Sequence, residues 1–163
     1  MFIKVVLLIA TLLVVNLYSL ERIDELSYKV PNEWVKSSLS KNNLFYFVPK
    51  ERPQEAYILI TERYKANGVS LLKESKKWVE IVSKKFDNEI IMPLQEFHID
   101  GNLGYYTTMS VSFDEKEVQV YYYIMSFKNK IYLVTTFCYS DVLEVYLPVF
   151  EGFVNSLKFI GKD

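Results

Sequence analysis

The 163-residue chain has very little of the residue types on which most catalytic and metal sites depend. It contains one cysteine, Cys138, one histidine, His98, and five glycines. A single cysteine excludes a disulfide within the chain, and a single histidine excludes metal sites that need two imidazoles. The sequence also lacks a glycine-rich phosphate loop, a paired-cysteine motif and a nucleophile elbow. We therefore predict no cofactor, no metal and no catalytic set, and a protein that is not an enzyme.

An excess of positive charge is also absent. The chain carries 19 Lys and Arg against 20 Asp and Glu, a formal net charge of −1. It therefore lacks the positive field that nonspecific nucleic-acid binding requires. Hydrophobic residues make up 50% of the chain and aromatic residues 16%, which is sufficient for a core at this length. We predict one domain over residues 20–163 and no nucleic-acid partner.

Residues 1–19 differ from the rest of the chain. Lys4 is followed by the apolar run "VVLLIATLLVV", and the segment ends in the small residue Ser19. This order is typical of a cleaved secretory signal peptide. An uncleaved membrane anchor is the alternative, because the stretch from Phe2 to Leu20 approaches the length that spans a bilayer. Both alternatives place the folded part in the periplasm or elsewhere in the cell envelope, secreted or anchored by this segment.

One helix and two early strands follow from the hydrophobic pattern. Apolar residues recur at helical spacing from Ser70 to Phe86 and predict an amphipathic helix. "NLFYFVPK" and "AYILITERY" are rich in aromatic and β-branched residues and predict strands. The second is apolar on both faces at its centre, which favours a sheet covered on both sides. The lysines of the helix are expected to lie on its solvated face: Lys73, Lys76, Lys77, Lys84 and Lys85.

Beyond this helix the apolar period changes from 3.6 to 2. "EIIMPLQEFHI", "YYTTMSVSF", "VQVYYYIMSF" and "IYLVTTFCY" are separated by short polar turns and predict an antiparallel meander. A final helix follows, with Ser140 as the expected N-cap and Pro148 as the expected site of a kink.

The isolated polar candidates have structural interpretations. Cys138 lies near the end of a strand among aromatic neighbours, where a free cysteine is usually a small buried hydrophobe. An activated thiol would need a nearby base. His98 is expected to be an ordinary strand residue. The acidic turn lacks the residue order of a calcium loop, so we expect a solvated hairpin tip at Asp114, Glu115 and Glu117.

Tyrosines are concentrated in two neighbouring strands of the predicted meander. Because side chains alternate across a strand, about half of these rings point to each face. An exposed set would form a rigid amphipathic contact surface of the kind enriched at protein interfaces. We take Tyr105, Tyr121 and Tyr123 as this candidate partner-binding set, while Tyr106 and Tyr122 need not share its face. The alternative is that helices cover both faces and all five rings belong to the core.

The predicted elements and motifs follow one order along the chain: "VPNEW", a long amphipathic helix, a strand ending in "IDGNLGYY", a hairpin, and "KIYLVTTF" running into a helix that finishes "FVNSLKF". This order resembles the PsbP-like superfamily, in its branch of DcrB-like envelope proteins. The resemblance implies an α+β fold, an α/β/α sandwich with a central antiparallel sheet flanked by helices, here preceded by the signal or anchor segment. It implies no catalytic residues. It gives structural roles to Pro31, Trp34, Gly101 and Ser156.

Members of this superfamily are mostly binding or assembly factors, so the resemblance implies a binding role. We expect an exported, non-enzymatic protein-binding factor of the bacterial envelope, either an assembly accessory or an immunity protein that neutralises a secreted toxin. The expected partner is another protein, an envelope component or such a toxin. Two alternatives stay open. One is a carrier with a small-ligand pocket near Trp34 or Trp78, and the other is a hydrolase that uses Asp or Glu carboxylates.

Overall fold

The structure is a computed structural model that describes residues 20–23, 25–37, 44–65, 68–86, 89–113 and 115–161. Residues 1–19, which we predict to be a signal peptide or a membrane anchor, lie outside this described part. Within the described part, no helix combines the length and the apolar composition that crossing a membrane requires.

Most of the described residues lie in strands. The strands are β1 (Leu20–Ile23), β2 (Leu26–Lys29), β3 (Trp34–Ser37), β4 (Leu44–Pro49), β5 (Ala56–Tyr64), β6 (Glu89–Ile99), β7 (Asn102–Phe113), β8 (Lys116–Phe127), β9 (Lys130–Tyr139) and β10 (Lys158–Phe159). The helices are α1 (Leu71–Phe86) and α2 (Leu143–Asn155), with a 3-10 turn at Ser140–Val142 before α2.

Seven strands form one antiparallel sheet in the order β3-β4-β5-β9-β8-β7-β6. Strands β6 to β9 pair with their neighbours in sequence, which confirms the predicted meander. A second, smaller sheet has the order β1-β2-β10 and pairs Phe159 with Leu26. The sequence pattern does not predict this second sheet, because none of its strands exceeds four residues and so none shows a clear period.

Two-residue turns join the strands of the meander and fix their register. Asp100 and Gly101 adopt φ angles of 50° and 74°, the positive values that a type I′ hairpin turn requires, and Ile99 pairs with Asn102. The β7–β8 and β8–β9 turns have the same length. Because side chains alternate along a strand, a turn one residue longer would move every following side chain to the opposite face.

The two helices pack on opposite faces of the large sheet. Ala56, Ile58 and Ile60 of β5 are buried on the face that carries α2, where they share a core cluster with Phe150 and Phe153. On the other face, α1 packs over residues of β7 and β8; the buried members of this cluster are Val82, Met109, Val118, Val120 and Tyr122. The fold is an α/β/α sandwich around an antiparallel sheet, as the resemblance implies.

The residues that the resemblance marks as structural make structural contacts. The Pro31 carbonyl accepts a hydrogen bond from the Trp34 backbone N–H at 3.2 Å, which closes the turn before β3. The Trp34 ring meets the α2 tyrosine edge-to-face, with 5.9 Å between ring centroids. Ser156 Oγ donates to the Phe153 carbonyl at 2.7 Å and accepts from the Lys29 backbone N–H at 3.0 Å. These bonds join the end of α2 to β2.

The two helices begin differently. Ser70 caps α1, because its hydroxyl accepts a hydrogen bond from the Lys73 backbone N–H at 3.3 Å. The prediction that Ser140 caps α2 is wrong: Ser140 begins the 3-10 turn, and α2 has no side-chain cap. The Ser140 hydroxyl instead accepts a hydrogen bond from Gln119 Nε2 at 3.2 Å, so its side chain binds to β8 of the sheet. Pro148 lies inside α2 without ending it, and the kink expected there stays a prediction.

Candidate docking surface

Helix α2 covers only part of its face of the sheet. Its buried side chains belong to one core cluster with residues of β4, β5 and β9; they are Tyr146, Phe150, Phe153 and Val154. Toward β8, β7 and β6, four aromatic rings on the same face stay partly exposed. We call these four rings, Phe97, Tyr106, Tyr121 and Tyr123, the aromatic surface.

The sheet register brings the four rings of the aromatic surface together. Tyr106 lies directly opposite Tyr123, and Phe97 lies opposite Gly104. Tyr121 is two residues before Tyr123 and therefore points to the same face. The Tyr106 and Tyr123 rings are nearly parallel, with 5.9 Å between centroids and 17° between planes. The Phe97 ring meets them edge-on at 6.0 Å and 5.7 Å, an arrangement that aromatic quadrupoles favour.

The Phe97 ring packs directly on Gly104 of β7. A Cβ atom at this position would lie 2.4 Å from Cε1 and 2.6 Å from Cζ of Phe97. Carbon atoms in contact are normally about 3.5–4.0 Å apart. The ring therefore rests directly on the β7 backbone, and the missing side chain of Gly104 is what places it beside the tyrosine pair.

Hydrogen bonds between side chains border the aromatic surface on two sides. Toward the start of α2, Ser110 Oγ and Gln119 Nε2 both donate to Glu117 Oε1, at 2.7 Å and 3.1 Å. Toward the edge strand β6, the Tyr106 hydroxyl donates to Gln95 Oε1 at 3.1 Å. The rings are therefore bordered by groups that can hydrogen-bond to a bound molecule.

Burial and one carboxylate set the electrostatics of the aromatic surface. Burial is the largest cause that raises the pKa of the Tyr121 and Tyr123 hydroxyls, and the negative charge of Glu151 raises the pKa of both further. Both side chains are therefore neutral phenols near neutral pH and can donate hydrogen bonds. Glu151 is exposed on α2, and its charge is close enough to affect the hydroxyls of both Tyr121 and Tyr123.

Two of the three predicted partner-binding tyrosines, Tyr121 and Tyr123, lie on the aromatic surface. Tyr105 does not, because it lies on the face that carries α1 and is only 6% exposed. Its hydroxyl donates a hydrogen bond to Glu96 Oε1 of β6 at 3.5 Å. Sequence reasoning missed Tyr106 and Phe97 as members. Tyr106 could have been found from the sequence, because a two-residue turn between β7 and β8 places it opposite Tyr123.

Solved structures with the same arrangement of strands and helices identify the fold. The cyanobacterial PsbP of Synechocystis, CyanoP, has a TM-score of 0.65 at 12% identity, covering 91% of this chain and 97% of that chain. LpqN of Mycobacterium tuberculosis, involved in cell envelope biogenesis, has a TM-score of 0.66 at 9% identity, covering 83% of each chain. The fold is PsbP-like.

The PsbP-like fold also occurs in a eukaryotic protein. The Ran-binding protein Mog1p of Saccharomyces cerevisiae has a TM-score of 0.58 at 10% identity, covering 83% of this chain and 90% of that chain. No family model matches the chain, and no curated protein matches it. The similarity to CyanoP and LpqN confirms the predicted resemblance at the level of the fold.

The isolated polar candidates of the sequence that lie in the described part of the chain have different surroundings in this PsbP-like fold. Cys138 is fully buried, and burial is the main cause that raises the pKa of its thiol to about 12. The thiol is therefore protonated at neutral pH, and its predicted place in the core is confirmed. His98 is exposed on the edge strand β6. Glu115 and Glu117 of the acidic turn are also exposed, while Asp114 lies outside the described residues.

The candidate metal ligands and the lysines of α1 can be placed in the structure. Across the described ranges, no group of three or more His, Cys, Asp or Glu side chains is arranged to hold a metal ion. The side chain of Lys85 lies outside the described part. The other lysines of α1 are exposed, as predicted: Lys73, Lys76, Lys77 and Lys84.

A small cavity lies beside Trp78, where one alternative places a ligand pocket. Its volume is about 40 Å³, whereas ligand pockets usually measure about 300–1,000 Å³. A space of this size holds about one water molecule. It is lined by Thr61, Arg63, Trp78, Ile124, Ile131 and Leu133. The cavity does not fit a small-molecule ligand, and at the other position the Trp34 ring packs against α2.

Proposed function

We propose that the chain is a non-enzymatic protein-binding factor that docks its partner on the aromatic surface. One observation carries this proposal: four partly exposed rings share one face of the sheet beside α2. Rigid aromatic side chains with a polar tip supply much of the binding energy at protein interfaces, and they lose little conformational entropy when they are bound. A contiguous group of partly exposed rings of this kind supports an interaction site.

The proposed place of action is the bacterial envelope, which the chain reaches through residues 1–19. LpqN, a protein of the same fold, is involved in cell envelope biogenesis and supports this location. Mog1p, which also shares the fold, binds Ran and supports a protein as the partner. The proposed partner is a protein, either a component of an envelope assembly or a secreted toxin that the chain neutralises.

Site-specific photo-crosslinking in intact cells tests the docking surface. A benzophenone amino acid replaces Tyr106 or Tyr121 in separate variants of the full chain, and replaces Tyr64 in a matched control. Tyr64 is 77% exposed at the end of β5, so a crosslinker there samples nonspecific collisions. We expect one crosslinked protein from both positions of the aromatic surface and none of it from the control.

The crosslinked protein is then purified and titrated with the wild type and with the Tyr106→Ala, Tyr123→Ala double variant. We expect the double variant to bind at least about thirtyfold more weakly, since two aromatic anchors at about 1 kcal/mol or more each contribute at least about 2 kcal/mol. Circular dichroism checks that the variant is folded. Equal crosslinking at all three positions, or equal affinity of the two proteins, contradicts the proposal. A toxin domain as the captured protein supports immunity, and an envelope component supports assembly.

A further inference from the structure

The described face around the aromatic surface carries no lysine or arginine from Gln95 onward in β6, β7 and β8. The register places on it side chains with rings, amides, hydroxyls and one carboxylate. Besides the four rings, they include Gln95, Ser110, Glu117 and Gln119. The surface therefore offers hydrogen-bond acceptors and ring faces without a cation of its own.

Helix α2 adds negative charge along the border of the aromatic surface. The Tyr121 ring contacts Phe150 of α2, with 6.5 Å between centroids. The next residue, Glu151, is exposed, and its charge adds to the effect of burial on the pKa of Tyr121 and Tyr123. Glu144 is also exposed and lies two helical turns earlier on the same side of α2. The Glu151 carboxylate thus lies beside the rings of Tyr121 and Tyr123.

The chain already uses such a combination to hold a cation of its own. On the opposite face, the Arg63 guanidinium lies 5.6 Å from the centroid of the Trp78 ring and pairs with Glu74 at 3.1 Å. The face of an aromatic ring carries negative potential, so it attracts a cation, and a nearby carboxylate adds to that attraction. Arginine suits such a site better than lysine, because its planar guanidinium can stack on a ring while its N–H groups reach a carboxylate.

We propose that the aromatic surface binds an arginine side chain of the protein partner, with the guanidinium over the tyrosine rings and its charge facing Glu151. This proposal names the chemistry of the partner and rests on the proposed function. It predicts that the docking segment of the partner is basic and that docking weakens as salt screens the charges.

A pair of synthetic peptides tests the proposal on the full chain. The probe is a capped five-residue peptide of alternating glycine and arginine, and its control carries citrulline, which has nearly the same shape without the charge. Aromatic NMR signals of Tyr106 and Tyr123 report binding. We expect saturable shifts with the arginine peptide, and binding about fivefold weaker with the citrulline peptide or in Glu151→Gln. The matched control Glu80→Gln, at an exposed glutamate of α1, is expected to bind like the wild type.

Equal binding of the two peptides, or equal binding by the wild type and Glu151→Gln, would overturn cation recognition. The photo-crosslinking separates this failure from a failure of the proposed function. If Tyr106 captures a protein while the peptides are not distinguished, the docking function stands and the arginine proposal is wrong. If the position captures nothing and the peptides are not distinguished, both proposals are wrong.

Discussion

Replacing Gly104 by alanine tests whether the glycine holds the Phe97 ring in the aromatic surface. The new Cβ would lie 2.4 Å from Cε1 of that ring, about 1 Å closer than carbon atoms pack. The ring belongs to the edge strand β6 and is partly exposed, so it can move away from the methyl group. We expect the substitution to displace the ring and to leave the strand pairing in place.

The free-energy change of Gly104→Ala has two parts of opposite sign. Overpacking costs about 1–3 kcal/mol, while alanine in place of glycine within a strand gains about 0.5–1 kcal/mol. The net result is a loss of about 1–2 kcal/mol of unfolding free energy. In a Phe97→Ala background the overlap with the ring is gone, and only the close contact of the new Cβ with the Ile124 carbonyl oxygen, at 3.1 Å, remains. We therefore expect Gly104→Ala to cost less unfolding free energy in this background than in the wild type, so the size of the effect depends on the ring.

Urea unfolding of the wild type, both single variants and the double variant measures this dependence as a double-mutant cycle. Gly152→Ala is a matched control inside α2, where an added Cβ meets no atom within 4 Å, and we expect it to stabilise the protein by about 1 kcal/mol. Additive effects in the cycle, within about 0.5 kcal/mol, would refute the contact between Gly104 and Phe97.

Substitutions at three further residues test the core, a buried carboxylate and the aromatic surface. Cys138→Ser is expected to lower the unfolding free energy by about 1–3 kcal/mol, because a hydroxyl is buried among apolar groups, and to leave partner capture unchanged; loss of capture by the folded variant contradicts this. Burial is the largest cause that raises the pKa of the Glu62 carboxyl, with Glu25 as a further cause. The opposing ion pair with Lys130 Nζ, at 2.9 Å, reaches Oε1, while Oε2 is buried without a hydrogen-bond partner. The stability that the protonated carboxyl contributes is therefore present at low pH and falls as pH rises through the raised pKa. As pH rises from the ordinary range of a glutamate through this raised pKa, the melting temperature should fall less in Glu62→Gln than in the wild type. Equal pH dependence of the two melting temperatures would refute the raised pKa of Glu62. Tyr123→Phe should retain partner affinity within about twofold while Tyr123→Ala loses about tenfold; equal affinities for the two variants would exclude a role for the ring.

Long elements with a clear period could be predicted from the sequence. The 16-residue α1 and the 9-residue β5 have enough turns or alternations for their faces to be assigned. The small sheet could not be predicted, because β10 has two residues and joins β2 across most of the chain. Its pairing depends on tertiary contacts such as the bond from Ser27 Oγ to the Lys158 carbonyl at 3.2 Å.

The candidate site could be predicted only in part, because it depends on the relation between strands. Within β8, alternation alone puts Tyr121 and Tyr123 on one face. Whether Tyr105 or Tyr106 joins them depends on the number of residues in the intervening turn, and one residue more reverses the answer. The position of Phe97 depends on its contact with Gly104, which no local pattern contains.

The place of β5 in the sheet sets an order of events during folding. Strands β6 to β9 pair across two-residue turns, whereas β5 reaches β9 only after α1 and three further strands, with Ala56 opposite Cys138. Closing a long loop costs more entropy than closing a short one, and nonlocal pairing slows folding. We expect the meander to form first, with the edge of β9 still open. Until β5 pairs with it, β9 is an apolar edge strand with unpaired backbone groups. It is therefore the segment of the folding chain that can most readily pair with another molecule.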